Sequence, residues 1–280
     1  MKLLLSSILL IIIFNTQVVG QLKKAMTFNL RYDAKNENEN SWHQRKVKLA
    51  ELVRFYEPDV LGTQEGLVHQ LNYMDSCLSD YSFIGVGRDD GKRAGEFSAI
   101  FYNNKNLKVL KSNTFWLSET PEKVSIGWDA SMERICTYGL FENLQNHRTC
   151  WVFNAHFDHI GKKAQIASMY LIADKIKEIT NEDGLPIVLM GDFNISSDNK
   201  AFEALQNLLT DAITNSEIKH YGPIGTFNGF KPNEETNNRI DYIFSRGFNV
   251  LRHVHIDDRR NNNLGVSDHY PVMVELEGEN

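Results

Sequence analysis

Six short polar segments are spread along this chain: Asn29, Gln64-Glu65, His156-Phe157-Asp158-His159, Gly191-Asp192-Phe193-Asn194, Arg239-Ile240-Asp241-Tyr242 and Ser267-Asp268-His269. Most of them stand where an apolar, strand-like run ends. Carboxylates, carboxamides and imidazoles gathered at strand ends are what a phosphoryl-transfer site needs. Such a site places a cation on the phosphate, orients a water and stabilises the leaving oxygen. The oxygen donors suit Mg²⁺ or Mn²⁺.

Each segment also has a plainer reading. Glu65 follows an apolar strand and precedes Gly66, so its carboxylate can hold a metal at a strand mouth; by itself it also fits a solvated turn. In extended chain Asp192 and Asn194 share one side and Phe193 takes the other. That pair can orient water and bind a phosphate oxygen, or simply form an Asx turn. His156 and Asp158 share a face after residues 151–153, where an imidazole can donate to a phosphoryl oxygen or be satisfied at a sheet end. Asp241 can hold His269 in one tautomer, or pair with Arg239.

The elements that must position these groups are legible in the hydrophobic pattern. Residues 22–30 read as a strand. Ser41 reads as an N-cap of a helix carrying Val47, Ala50 and Val53, which Pro58 ends. Residues 59–64 form a strand delivering Glu65, and 67–78 a helix. Residues 97–102 and 107–117 read as strands, and 134–141 with 148–157 as an antiparallel pair around 143–147. Residues 165–179 are the clearest helix, with Ile166, Met169, Tyr170, Ala173 and Ile176 on one face. A buried strand over 186–190, a helix over 201–209 and strands over 240–244, 250–256 and 270–276 close the chain. No repeat or low-complexity linker divides the series, so one α/β domain over residues 21–280 is expected.

Length and composition agree. The 280 residues are 42% hydrophobic, enough for a sizeable core. The net charge of −6 gives no hint of the basic face of a non-specific nucleic-acid binder. Residues 1–20 carry Lys2, an apolar run and small residues before Gln21, the pattern of a cleavable signal peptide. They imply a secreted or periplasmic protein without a stable membrane anchor. The three cysteines, Cys77, Cys136 and Cys150, show no zinc spacing. They read as buried thiols, although Cys136 and Cys150 lie in consecutive strands that could meet.

Taken in order, the six segments resemble the endonuclease/exonuclease/phosphatase superfamily, which includes pancreatic-type deoxyribonuclease, abasic-site endonucleases, inositol-polyphosphate 5-phosphatases and bacterial sphingomyelinases. The resemblance runs from about Lys24 to Glu275. It implies a four-layer α/β sandwich, two packed mixed sheets flanked by helices, with the active site at one edge. By motif it makes Asn29, Glu65 and Asp268 metal-site residues, and His156 a phosphate contact. Asp192 and Asn194 become the water-orienting and phosphate-contacting pair, Asp241 the partner of His269, and His269 a further phosphate contact. Arg31 stands where some nucleases of the superfamily carry an aspartate. The segments from Gly87 to Gly91, Phe115 to Pro121 and Gly127 to Asp129 resemble exported bacterial members near the deadenylase and nocturnin branch. That kinship makes Arg88, Arg93 and Arg134 candidate substrate contacts.

The implied function is metal-dependent hydrolysis of a phosphate ester by a monomeric single domain: a phosphodiesterase or 3′–5′ exonuclease by kinship, with a small-molecule, sugar or lipid phosphatase as the alternative. Asn154-x-His156-x-Asp158-His159 is one residue from the metallo-β-lactamase signature, but Asn154 replaces a histidine and carboxamides bind zinc poorly. A secreted binding module without turnover is the non-enzymatic alternative.

Overall fold

A computed structural model describes residues 22–181, 183–231 and 233–279. The leader expected over residues 1–20 lies outside them. In chain order the strands are β1 Lys24–Asn29, β2 Val60–Gln64, β3 Gly66–Leu67, β4 Tyr81–Ile84, β5 Glu96–Phe97, β6 Ile100–Asn103 and β7 Leu107–Trp116. They continue with β8 Ile135–Asn143, β9 Thr149–His156, β10 Ile187–Asp192, β11 Thr210–Asp211, β12 Asp241–Arg246, β13 Phe248–His255 and β14 Val272–Gly278. The helices are α1 Trp42–Tyr56, α2 Val68–Cys77 and α3 Lys162–Thr180.

Two six-stranded sheets result, ordered β13-β14-β1-β2-β6-β4 and β11-β12-β10-β9-β8-β7, with a small β3-β5 pair beside them. Both are mixed: β1 pairs β2 in parallel and β9 pairs β10 in parallel, and the remaining pairs within these two sheets are antiparallel. Three cores make four layers. Ala25, Val60, Val152, Val188, Met190 and Val272 fill the space between the sheets. Leu49, Val53, Leu71 and Met74 of α1 and α2 cover the first sheet, and Met169, Ile172 and Ile176 of α3 cover the second.

The sheets meet closely at Gly62. A Cβ there would stand 2.8 Å from Asn154 Cγ and 2.9 Å from Met190 Cε. Asn154 uses that space to tie the layers together. Its Nδ2 donates to the Thr63 and Ala99 carbonyls at 3.0 and 2.8 Å, and its Oδ1 accepts from Gln64 Nε2 at 2.7 Å. Buried polar groups persist only when satisfied in this way.

Several expectations are refined. Val47, Ile166 and Tyr170 are exposed at 53, 40 and 47%. Helical spacing predicted an apolar stripe, but the helices turn Leu49, Leu52, Gln165 and Ser168 inward instead. Ser41 holds the N-cap position of α1 without a side-chain capping bond. The expected 97–102 strand breaks into β5 and β6, and 201–209 forms a 3₁₀ turn over Lys200–Leu205. Cys136 faces Ala155 and Cys150 faces Phe141 in the β8–β9 ladder. The two thiols sit in different cores and all three cysteines are free, Cys77 only partly buried.

Candidate active site

Sheet register assembles the site. Asp192, the last residue of β10, lies opposite His156 on β9 and Asp241 on β12. Three functional side chains therefore stand in a row across three adjacent strands. On the other sheet Asn29 lies opposite Gln64, and the chain then turns at Glu65 with φ of 62°. Left-handed backbone at a non-glycine residue is uncommon and concentrates at functional sites. Asn194 repeats it at φ 52°, immediately after the aromatic Phe193 has plunged into the α3-side core.

The carboxylates converge. Asn29 Nδ2 donates to Glu65 Oε1 at 3.0 Å and to Asp192 Oδ2 at 2.9 Å, bridging the two sheets. Asn29 Oδ1 accepts from the Arg31 N–H at 2.9 Å, which settles the amide orientation. Asn29 thus ties the two carboxylates together through its Nδ2, while its Oδ1 accepts from the backbone. Glu65 Oε2 accepts from the Tyr32 N–H, and the Arg31 guanidinium lies 3.8 Å from Glu65 and 3.7 Å from Asp268. The oxygen pair Glu65 and Asp268 fits a hard divalent ion in donor chemistry.

Asp192 is held at both oxygens, by Asn29 and by the Asn194 N–H at 3.0 Å. Burial first, and then the neighbouring Asp241 carboxylate, pushes its pKa up from 3.8 to about 7. A bound cation would bring it down again. His269 Nδ1 pairs with Asp241 Oδ2 at 2.8 Å, and its Nε2 faces Asp192 at 3.7 Å. Burial alone would lower the His269 pKa, but Asp241 and Asp192 outweigh it and hold it well above 6.5. Asp192, Asp241 and His269 are close enough to share an ion. The hydrogen bond between His269 Nδ1 and Asp241 also arranges these two as an acid–base pair would be arranged. Thr226 Oγ1 accepts the Ile240 and Asp241 N–H groups at 3.0 Å and fixes the start of β12.

His156 belongs to a second network. Arg134 Nη1 lies 3.2 and 3.1 Å from its two ring nitrogens, and Arg134 Nη2 3.0 Å from His159 Nδ1. Burial, then Arg134, drives the His156 pKa well below 6.5, so this imidazole is neutral. Arg88 grips Glu96 with two bonds of 2.7 and 2.9 Å, and Glu96 stands 3.9 Å from His156. Burial raises the Glu96 pKa against the pull of Arg88. Trp116 Nε1 donates to the Arg88 carbonyl at 2.8 Å, and Asp90 accepts from the Lys92 and Ala94 N–H groups, so the segments singled out around them frame Arg88. Asp129 accepts the Ala164 N–H at 2.7 Å at the start of α3.

Both networks line one cavity of about 630 Å³, with Tyr32, Phe227 and Asn238 completing its wall. Arg88, Arg134, His156, Asp192, Asn194, Asp268 and His269 are all there. Two expected members are placed elsewhere. Arg93 is exposed on its loop and does not line the cavity. Asp158, rather than sharing the face of His156, accepts from the Ile160, Gly161 and Ser131 N–H groups and braces the loop into α3. Arg239 pairs with Asp211, leaving Asp241 to His269. Arg31, Glu96 and Thr226 carry parts of the site that sequence reasoning did not assign. The Thr226-Phe227-Asn228-Gly229 turn preceding the last motifs was the available signal.

Comparison with known proteins agrees with this geometry. A sequence profile described as the Endonuclease/Exonuclease/phosphatase family matches residues 26–269. The chain is similar to a crystal structure of an endonuclease/exonuclease/phosphatase family protein from Bacteroides thetaiotaomicron, at 39% identity over 92% of this chain and 98% of that one, with a TM-score of 0.88. It is equally similar to a mannosyl-6-phosphatase from Bacteroides thetaiotaomicron, at 39% identity, covering 91% and 99%, TM-score 0.88. The human nocturnin catalytic domain, 17% identical over 93% and 96% with a TM-score of 0.74, shares the fold. The metallo-β-lactamase alternative falls with Asn154, whose carboxamide is spent between the sheets. The chain is a phosphoester hydrolase by kinship and by site, and it belongs to the endonuclease/exonuclease/phosphatase family.

Proposed function

We propose that this enzyme is a Mg²⁺- or Mn²⁺-dependent phosphatase of small phosphorylated sugars or polyols, acting on monoesters in preference to the diesters that kinship with exonucleases suggested. The observation that carries the reading is the cavity itself. Its volume of about 630 Å³ suits a small ligand. Two guanidinium groups, Arg88 and Arg134, line it and suit a terminal phosphate dianion. The net charge of −6 argues against nucleic acid, and the likeness to a mannosyl-6-phosphatase supports the same class.

In this reading Glu65 and Asp268 would hold the ion, which would supply charge neutralisation for the phosphoryl group. Asp192, with both oxygens already oriented, accepts a proton from the attacking water. The protonated His269 donates to a phosphoryl oxygen, held in place by Asp241. Neutral His156 offers one ring N–H to the same group, with Asn194 beside it. Attack is in line, without a covalent enzyme intermediate. Export through the leader-like residues 1–20, and action as a monomer, belong to the same proposal; the N-terminal residue of protein recovered outside the cytoplasm tests the first.

The test is a substrate panel with magnesium, with and without chelator: sugar 6-phosphates including mannose 6-phosphate, bis-p-nitrophenyl phosphate, single-stranded RNA and DNA, and phospholipids. Chelator-sensitive release of phosphate from a sugar monoester is expected. Faster cleavage of diesters or nucleic acid overturns the monoester reading, and activity untouched by chelator overturns the metal.

A further inference from the structure

Three histidines outside the cleft form a cluster at the edge of the sandwich. His253 and His255 alternate along β13 and point to one side, both almost fully buried. A strap over residues 216–223 runs along the same strand. Its hydrogen bonds are Glu217 N–H to the Val250 carbonyl at 2.9 Å, Tyr221 N–H to His253 at 3.2 Å and His255 N–H to Tyr221 at 3.0 Å. The strap lays half-buried His220 over the other two rings, with centroids 5.1 Å from His253 and 4.3 Å from His255.

The hydrogen bonds choose the tautomers. The Pro223 carbonyl accepts from His255 Nδ1 at 2.7 Å and from His220 Nε2 at 3.0 Å. An oxygen that can only accept forces both nitrogens to carry protons. The lone pairs must then be on His255 Nε2 and His220 Nδ1. His255 Nε2 is buried with no hydrogen-bond partner, a costly state for a polar atom. His220 Nδ1 faces His253 Nδ1 at 3.0 Å. One ligand atom from each ring falls within 4.8 Å of the others.

We propose that His220, His253 and His255 form a binding site for a first-row transition ion, zinc by preference, separate from the oxygen-rich cleft. Three imidazoles with an open side match the common three-histidine arrangement, and tetrahedral zinc–nitrogen bonds of 2.0–2.1 Å place ligand nitrogens about 3.3 Å apart. The carbonyl of Pro223 is the outer partner that orients two of the ligands, as carbonyls do around metal-bound histidines. Hard ions such as magnesium are rejected by nitrogen donors. Half-exposed His220 leaves room for a solvent ligand. The ion would staple the strap to β13. The strap continues through Gly222, whose φ of 105° and 2.0 Å Cβ-to-carbonyl clearance against His255 admit only glycine, to Phe227 of the cleft wall. The role is structural, and it stands whatever ester the cleft hydrolyses.

The experiment strips the whole chain with chelator, fills the cleft with excess magnesium, and titrates zinc and cobalt(II) against the parent, His220→Ala and Glu65→Gln. The parent and Glu65→Gln should each take up one zinc ion. They should also give the intense visible cobalt bands of low-coordinate nitrogen ligation. His220→Ala should weaken zinc by more than about 100-fold, beyond the loss seen when only an outer partner of a metal ligand is removed. Because His220 is half-exposed on the strap, its loss should leave magnesium-dependent turnover at the parent level, which also reports that the variant is folded. Zinc uptake that His220→Ala does not change, or that Glu65→Gln abolishes, places the ion in the cleft and overturns the proposal. So does a parent that takes up no zinc, or shows only the pale cobalt spectrum of oxygen ligation.

Discussion

The cleft and the edge cluster are both built from buried titratable groups, yet their surroundings charge them in opposite ways. In the cleft His269 lies between Asp241 and Asp192, and its pKa rises well above 6.5 despite burial. At the edge no carboxylate faces the rings. Burial, then neighbouring histidines, holds His253 down to about 2 and His255 to about 3. The lesson is that burial sets only the penalty on charge; the partner decides whether it is paid. A carboxylate partner favours the charged ring, and a carbonyl partner leaves a neutral ring with a free lone pair.

The largest break in that contrast should come from Asp192→Asn. General-base assistance contributes about 10²–10⁴-fold, and kcat should fall by that order while zinc uptake at the edge is untouched. Near-parental turnover would remove Asp192 from its role. Arg88→Ala removes a charge-assisted contact of the kind worth about 1.5–3 kcal/mol. It should lower kcat/KM by about 10- to 150-fold, chiefly through KM; an unchanged KM would make Arg88 only a partner of Glu96. Glu65→Gln should raise the magnesium needed for half-maximal activity by at least about 10-fold. Activity saturating at the parent's magnesium concentration would show that Glu65 is no ligand.

The smallest effect is in stability. In metal-free protein, His253 and His255 bind fewer protons folded than unfolded between their folded pKa values and 6.5. Their neutral state is fully compatible with the fold above pH 6.5, and stability is lost as pH falls below it. Each contributes a slope of at most about 1.4 kcal/mol per pH unit. His269 has the opposite sign: its contribution is present below pH 6.5 and lost as pH rises through its elevated folded value. Thermal melts from pH 7 toward 4 should therefore show a shallower loss for His253→Gln than for the parent, and equal slopes would deny the edge cluster its buried neutral state.

Much of the cleft was legible because its residues sit at strand ends, and strand ends show in the chain as the close of an apolar run. Asp192 and His156 follow from that rule, Asp241 instead opens β12, and β-sheet register aligns all three. Which amide atom of Asn29 meets the carboxylates shows only in the fold, since only its neighbours reveal how a carboxamide is turned. Arg93 was misjudged because a loop residue's direction is not periodic. Val47, Ile166 and Tyr170 fitted the spacing of a buried face that the packing of α1 and α3 rotated away.

By itself the order of residues determined the alternation of strands and helices, the six polar segments and hence the set of donor groups, because these depend on local periodicity and on side-chain type. Only the tertiary structure decided that Arg31 stands beside Glu65 and Asp268, that Glu96 enters the cleft, and that His220 folds back onto His253 and His255. Those encounters join residues tens of positions apart through loop direction and strand register. No window of sequence contains that information, because it is created when the two sheets close on each other.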